Sequence, residues 1–199
     1  MTDPVILASG SEIRATLLRN AGVPFSTVVA RVDEEAIRAA LELEEASPRD
    51  IADTLAEAKA RKVSQKNPGA YVIGCDQVLD FDGRILSKPT DPVEGLAQLQ
   101  AMRGKTHRLL SAAVIYKDGE PIWRHVGTVR LTMRDVSDAY LDDYMTRNWD
   151  SVRWSVGCYK LEEEGVRLMS KVEGDYFSVL GLPLIELLNY LTLRGVLTA

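Results

Sequence analysis

Val5-Ile6-Leu7-Ala8-Ser9-Gly10-Ser11-Glu12-Ile13-Arg14 begins as a short apolar, β-prone run and breaks at Ser9-Gly10-Ser11. It then takes up a helical period of Ile13, Leu17, Leu18 and Ala21, closed by Gly22. That reads strand, tight turn, helix. A second strand is predicted over residues 25–30, while the acidic stretch Asp33 to Glu45 has too weak a period to assign. Ser47-Pro48-Arg49-Asp50 combines a cap, a proline at the first helical position and an acid three residues on, which predicts a helix to about Ser64. Tyr71 to Cys75 reads as a buried strand ending at Asp76-Gln77, and Asp82-Gly83 turns a hairpin between Val78–Phe81 and Arg84–Leu86. A helix follows from Asp91 to near Gly104. Leu109–Tyr116 and Ile122–Met133 then form a long hairpin around Asp118-Gly119, and Ser137 caps a helix to about Arg147. A further hairpin is expected near Gly165, and Pro183 opens a last amphipathic helix ending before Gly195. The alternation predicts one α/β domain over 1–199 with a mixed, largely antiparallel sheet flanked by helices.

Composition excludes several function classes. Of the 199 residues, 46% are hydrophobic and 27% charged, which is ordinary globular make-up. The net charge of −5 gives no general positive field for nucleic acid. No run free of Asp, Glu, Lys and Arg, the stretch Tyr176 to Ile185 included, is long enough to cross a bilayer. Asp3 comes early and the first basic residue is Arg14, unlike a signal peptide, so a cytoplasmic location is expected. Cys75 and Cys158 have neither disulfide-framework nor zinc spacing and read as buried thiols.

No phosphate-loop, dinucleotide-fold, nucleophile-elbow or zinc-protease signature occurs, and with only His107 and His125 a histidine-centred site is disfavoured. Carboxylates, lysines and an arginine remain. Ser9-Gly10-Ser11 at a strand-to-helix turn offers backbone N–H groups, two hydroxyls and a helix dipole to an anion, with Arg14 on the first helical turn; the same pattern also serves simple capping. Asp76 could hold a cation or take a proton from water, or be a turn residue. Lys88, stiffened by Pro89, and Lys59, set among alanines, could meet phosphates or merely face solvent. Asp33-Glu34-Glu35 could add a second metal carboxylate or belong to an acidic surface. Together the set suits metal-assisted attack of water on a polyphosphate, which needs positioning and charge neutralisation rather than a protein nucleophile.

The sequence resembles the Maf family of nucleoside triphosphate pyrophosphatases, whose members open on L-A-S-x-S-x-x-R, here Leu7 to Arg14. The resemblance continues in order through Val32-Asp33-Glu34, Ala58-Lys59-Ala60, Gly74-Cys75-Asp76-Gln77, Lys88-Pro89, Gly104-Lys105-Thr106-His107 and Val179 to Leu184. It implies hydrolysis of a nucleoside triphosphate between the α and β phosphates with a divalent cation, magnesium or manganese. It also implies two lobes around a central cleft, and often a homodimer. The implied catalytic set is Asp76, Lys88, Lys59 and Glu34, with Asp76 as proton acceptor and Glu34 and Asp76 near the metal. The implied substrate-binding set is Ser9, Ser11, Ile13, Arg14, Gln77 and Glu162. A carboxylate on a divalent metal is a poor base, because the metal lowers its pKa. Either the metal acidifies the water and Asp76 orients it, or Asp76 meets the metal through a water.

The chain departs from the commonest family pattern at three places: Glu12-Ile13 replaces Pro-Arg, Gln77 replaces Thr, and Glu162 replaces Gln. Gln77 and Glu162 are similar to the 7-methyl-GTP branch, and a carboxylate can accept both N1–H and N2–H₂ of guanine. Ile13 stands where that branch tends to carry an aromatic. The implied role is removal of non-standard nucleotides before incorporation. A nucleotide-binding regulator of cell division without turnover is the rival expectation, separable by a pyrophosphate-release assay. A nucleic-acid module is disfavoured by charge.

Overall fold

The computed structural model describes residues 3–198 of the chain. In chain order its elements are β1 (Val5–Leu7), α1 (Glu12–Asn20), β2 (Ser26–Thr27), α2 (Glu34–Leu43), α3 (Pro48–Ser64), β3 (Tyr71–Phe81), β4 (Arg84–Leu86), α4 (Pro92–Met102), β5 (Thr106–Lys117), β6 (Glu120–Met133), α5 (Asp138–Val152), β7 (Met169–Glu173), α6 (Tyr176–Val179) and α7 (Leu184–Leu193). Short 3₁₀ turns occupy Val156–Cys158 and Glu164–Leu168. The seven strands form one sheet in the order β2-β1-β3-β5-β6-β7, with β4 attached to β3. β1 runs parallel to both β2 and β3, whereas β3–β4 and β6–β7 are antiparallel. The expected class, an α/β fold with a mixed sheet flanked by helices, is borne out.

Both Asp-Gly turns adopt positive φ at their two central residues, 52° and 79° at Asp82-Gly83 and 51° and 83° at Asp118-Gly119. This left-handed pair matches the twist of antiparallel strands, so it joins β3 to β4 and β5 to β6 in two residues. The predicted caps also act as caps: Ser47, Asp91 and Ser137 accept from the backbone N–H groups of Asp50, Glu94 and Tyr140.

The chain divides into two compact units. The first draws on the chain up to Gln77, on Leu110–Gly127 and on the chain from Tyr176. Its core joins Val5 and Leu7 of β1, Leu17 and Leu18 of α1, Ile73 of β3, Ala113 and Ile115 of β5, and Leu187 and Leu191 of α7. The second comprises Val78–Leu109 and Thr128–Asp175. There Leu79, Leu99, Met102, Leu131, Met133, Leu141 and Tyr144 are buried, and α4 packs on α5.

Several boundaries differ from the sequence reading. β3 does not end at Asp76-Gln77 but continues to Phe81, because both polar side chains find partners within the fold and the strand need not surface there. β2 is confined to Ser26–Thr27, both exposed at the sheet edge. The stretch left unassigned forms α2, started by Asp33, whose carboxylate accepts from Ala36 N–H. α5 runs five residues past Arg147 and buries Val152. No hairpin turns at Gly165; Arg147 and Asn148 both bind the Glu164 carboxylate, and the chain there coils into a 3₁₀ turn before β7.

Candidate active site

The site is built where β3 lies against α3 in the first unit. Gly74 makes this possible: a Cβ there would fall 2.1 Å from the Ala56 carbonyl oxygen and 2.6 Å from the Ala60 amide nitrogen. Ala52, Ala56 and Ala60 of α3 are fully buried. With no side chain on one element and only methyl groups on the other, the two backbones come into direct contact. Lys59 sits inside this alanine stripe, buried to 8% exposure, where the reading of a solvated helix face does not hold.

The Lys59 ammonium finds two carboxylates. Its Nζ donates to Asp76 Oδ1 at 2.7 Å and lies 3.0 Å from Glu34 Oε2. Asp76 is buried, while the Glu34 side chain, on the first turn of α2, is about half exposed (47%). Among the described residues, buried Asp76 Oδ2 has no hydrogen-bond partner. An ionised carboxylate can accept several hydrogen bonds or bind a cation, so this oxygen keeps acceptor capacity for a ligand. One cation between two carboxylates leaves the cluster with a net negative charge, the electrostatic setting for a divalent cation.

Beside it, Arg14 is held by backbone oxygens. Its Nε donates to Gly181 O at 2.8 Å and its Nη1 to Cys75 O at 3.2 Å, with Ser9 Oγ at 3.4 Å. Gly181 has φ of +93°, and a Cβ there would lie 3.1 Å from Arg14 Nε and Nη2. Glycine at that position therefore clears the guanidinium. Ser9 Oγ also accepts from Ser11 N–H at 3.2 Å, closing the turn before α1. Burial raises the Cys75 thiol to about 11, so it stays protonated and is no nucleophile.

Gln77 faces a different set of partners. Its Nε2 donates to Ser111 Oγ at 2.9 Å, Val179 O at 3.0 Å and Ser178 O at 3.1 Å, and Ser111 Oγ donates to Ser178 O at 2.6 Å. Two backbone carbonyls can only accept, which fixes the amide with nitrogen toward them. Its carbonyl oxygen is left to face elsewhere.

The first unit thus brings together Glu34, Lys59 and Asp76, and holds Ser9, Ser11, Ile13, Arg14 and Gln77 as well. Ile13 is half-buried against the core. Lys88 and Glu162 belong to the second unit, both exposed: Lys88 just after β4, Glu162 in the turn before Glu164. Glu162 differs from its neighbours, since Glu163 accepts from Ser151 and Lys160 and Glu164 from Arg147 and Asn148.

A family model described as Maf-like protein matches residues 4–193. The chain belongs to the Maf-like protein family. It is 68% identical to a protein of Roseobacter denitrificans named nucleoside triphosphate pyrophosphatase, with 98% of each chain covered. It is 66% identical to one of the same name in Ruegeria pomeroyi, over 99% of each. A Brucella abortus relative named 7-methyl-GTP pyrophosphatase is 48% identical, over 94% of each.

Within this Maf-like chain, sequence reasoning quoted Gly74 and Gly181 only as parts of motifs and missed why each must be glycine. An isolated glycine inside an otherwise apolar strand signals close backbone approach, and at Gly74 that signal was present. Ser111 and Ser178, which orient Gln77, carried no local signal, since they lie 34 and 101 residues from it.

Proposed function

We propose that this chain is a nucleoside triphosphate pyrophosphatase that cleaves the anhydride between the α and β phosphates. The observation that carries the reading is the buried Lys59–Asp76 pair with its orphan Asp76 Oδ2, joined by Glu34 on the same ammonium. Water attacks the α phosphorus, the bond from α phosphorus to the bridging oxygen breaks, and pyrophosphate leaves with that oxygen. The proton from water passes to Asp76 Oδ2, the oxygen with free acceptor capacity. Lys59 holds Asp76 in place, and its remaining hydrogen-bonding capacity is available to phosphate oxygens. Arg14, fixed by Gly181 and Cys75 carbonyls, presents a guanidinium whose freedom is already spent, so little is lost when it meets phosphate. Lys88 is assigned to the phosphates as well.

The donor set fits a divalent cation of the magnesium or manganese kind. Among the described residues no three His, Cys, Asp or Glu side chains cluster as a metal cage. Magnesium characteristically uses one or two carboxylates plus waters and substrate phosphates; Glu34 would hold it directly and Asp76 through a water, which leaves Asp76 Oδ2 able to accept the proton. Once bound, the cation neutralises phosphate charge and makes a coordinated water more acidic.

For the base we propose a guanine type, with 7-methyl-GTP as the candidate substrate. Gln77 commits its amide nitrogen to Ser111, Ser178 and Val179 and leaves its carbonyl oxygen as an acceptor, and Glu162 is an exposed carboxylate not engaged like its neighbours; acceptors suit guanine's N1–H and N2–H₂. The cellular role would be removal of such nucleotides in the cytoplasm, by a homodimer. The test is a panel of natural and modified triphosphates with magnesium, with products separated by chromatography. A monophosphate and pyrophosphate are expected, with turnover abolished by excess chelator. Orthophosphate as the first product, or full turnover in chelator, would refute the reading.

A further inference from the structure

A cluster of cations outside the site described above lines a cavity beside α3. An open cavity of about 430 Å³ is lined by Arg31, Asp33, Arg61, Lys62 and Gln65, with Val32, Ile37 and Ala58 as its apolar wall. Ala58, Arg61, Lys62 and Gln65 follow the spacing i, i+3, i+4, i+7, which is one stripe of a helix. Lys59 is 100° around from Ala58 in an ideal helix, about the angle between successive residues, and its ammonium is turned inward to Asp76 and Glu34. The cavity therefore uses a different set of side chains from the site described above.

The charges in it are unusual for this chain. Three cations line it in a protein of net charge −5, and none of the three forms an ion pair among the described residues. The nearest compensation is the field of Arg61 on Glu57, one turn away on the same helix. The one acid in the lining, Asp33, has its carboxylate engaged by Ala36 N–H at the start of α2. Three neighbouring cations repel one another, and an anion of several charges relieves that repulsion. Arg31 and Arg61 supply planar forks, Lys62 a compact point charge, and Gln65 an amide donor. This donor set suits two or more linked phosphoryl groups better than a single carboxylate.

We propose that this cavity binds an oligophosphate anion of at least two phosphoryl groups. With the reaction proposed above, and resting on it only for the source, that anion is the released pyrophosphate or the tail of a bound triphosphate. Asp33 and Ala58 of the lining are the sequence neighbours of Glu34 and Lys59, so an anion there sits next to the elements that carry the catalytic carboxylate and ammonium.

Inorganic pyrophosphate is titrated into the full chain by calorimetry in the presence of chelator, where no turnover is needed. Wild type, the triple variant Arg31→Gln, Arg61→Gln, Lys62→Gln, and Asp76→Asn are compared, with an α,β-methylene nucleoside triphosphate as a second ligand. All three substituted cations are exposed, and unchanged thermal unfolding verifies that the variant folds. The triple variant should bind pyrophosphate roughly 10–100-fold more weakly, and Asp76→Asn, which alters only the site described above, should leave saturable binding through the three cations in place. Loss confined to pyrophosphate assigns the product, and loss of both ligands assigns the triphosphate tail. Equal pyrophosphate affinity in wild type and triple variant, or no saturable binding to wild type, overturns the site. A chain that hydrolyses nothing yet binds pyrophosphate through these cations would refute the proposed reaction and leave this site standing.

Discussion

Gly74→Ala adds one methyl group at the point where β3 and α3 touch. The new Cβ would sit 2.1 Å from the Ala56 oxygen, 2.6 Å from the Ala60 nitrogen and 2.8 Å from the Ala60 Cβ, where ordinary contact begins near 3.4 Å. Two of the three obstructing atoms are helix backbone, so no rotamer change can clear them. The strand and helix must separate by about 1 Å. Forcing such a shift in a packed core costs about 1–3 kcal/mol, or a fall in melting temperature of roughly 3–10 °C for a chain of this size. The same displacement would carry Lys59 Nζ, now 2.7 Å from Asp76 Oδ1, beyond good hydrogen-bond distance. Misplacing a catalytic group by this much costs about 10²-fold in rate. The measurements are thermal unfolding together with kcat and KM on the preferred triphosphate. A variant that melts within 1 °C of wild type and keeps more than half its activity would show that the contact does not set the site.

Asp76→Asn should fold and lose roughly 10²–10⁴-fold in turnover, because the amide neither accepts a proton nor attracts a cation; more than about a tenth of wild-type activity would exclude the assigned role. Glu162→Gln should lower activity on 7-methyl-GTP and raise that on UTP relative to GTP, and an unchanged order across the panel would show that Glu162 does not read the base. His107 is buried at 1% exposure with Nε2 on the Tyr159 hydroxyl and Nδ1 unpartnered, and burial lowers its pKa from 6.5 to about 4. Below 6.5 the unfolded chain therefore binds a proton that the folded chain refuses, so stability is complete above pH 6.5 and falls by about 3 kcal/mol as pH drops to 4. Denaturant titrations of wild type and His107→Gln should diverge over that window, and parallel curves would refute it.

What the sequence made legible followed from local chemistry. Ser47, Asp91 and Ser137 announced their helices because a cap and its first turn are neighbours in the chain, and the two Asp-Gly turns announced their hairpins because only residues tolerant of positive φ fit there. Asp76 was legible as a functional carboxylate but misplaced at a strand end, since a charged residue normally marks the surface. Its partner Lys59 lies 17 residues earlier on another element, and no local pattern reports that pairing. Lys59 between alanines looked like a helix face because small residues are compatible with both solvent and tight packing. Only the adjoining Gly74 decides between them. The motif order of the resemblance supplied the grouping of Glu34, Lys59 and Asp76 that local rules could not reach.

That grouping also bears on why a charged pair occupies the core at all. Removing an ammonium and a carboxylate from water costs several kcal/mol each, and well-packed apolar residues in their place are often as stable or more so. The alanine stripe of α3 and the apolar run of β3 could have closed on each other without Lys59 and Asp76. Folding stability therefore does not explain the pair. The proposed reaction accounts for it, because it uses a carboxylate and an ammonium side by side away from bulk water. Lys59 supplies that cation at 2.7 Å from within a rigid helix, while Glu34 shares it at 3.0 Å and stays half exposed. The arrangement leaves one carboxylate oxygen committed to the ammonium and the other, Asp76 Oδ2, with no partner. It is this second oxygen that the proposed reaction uses as its proton acceptor.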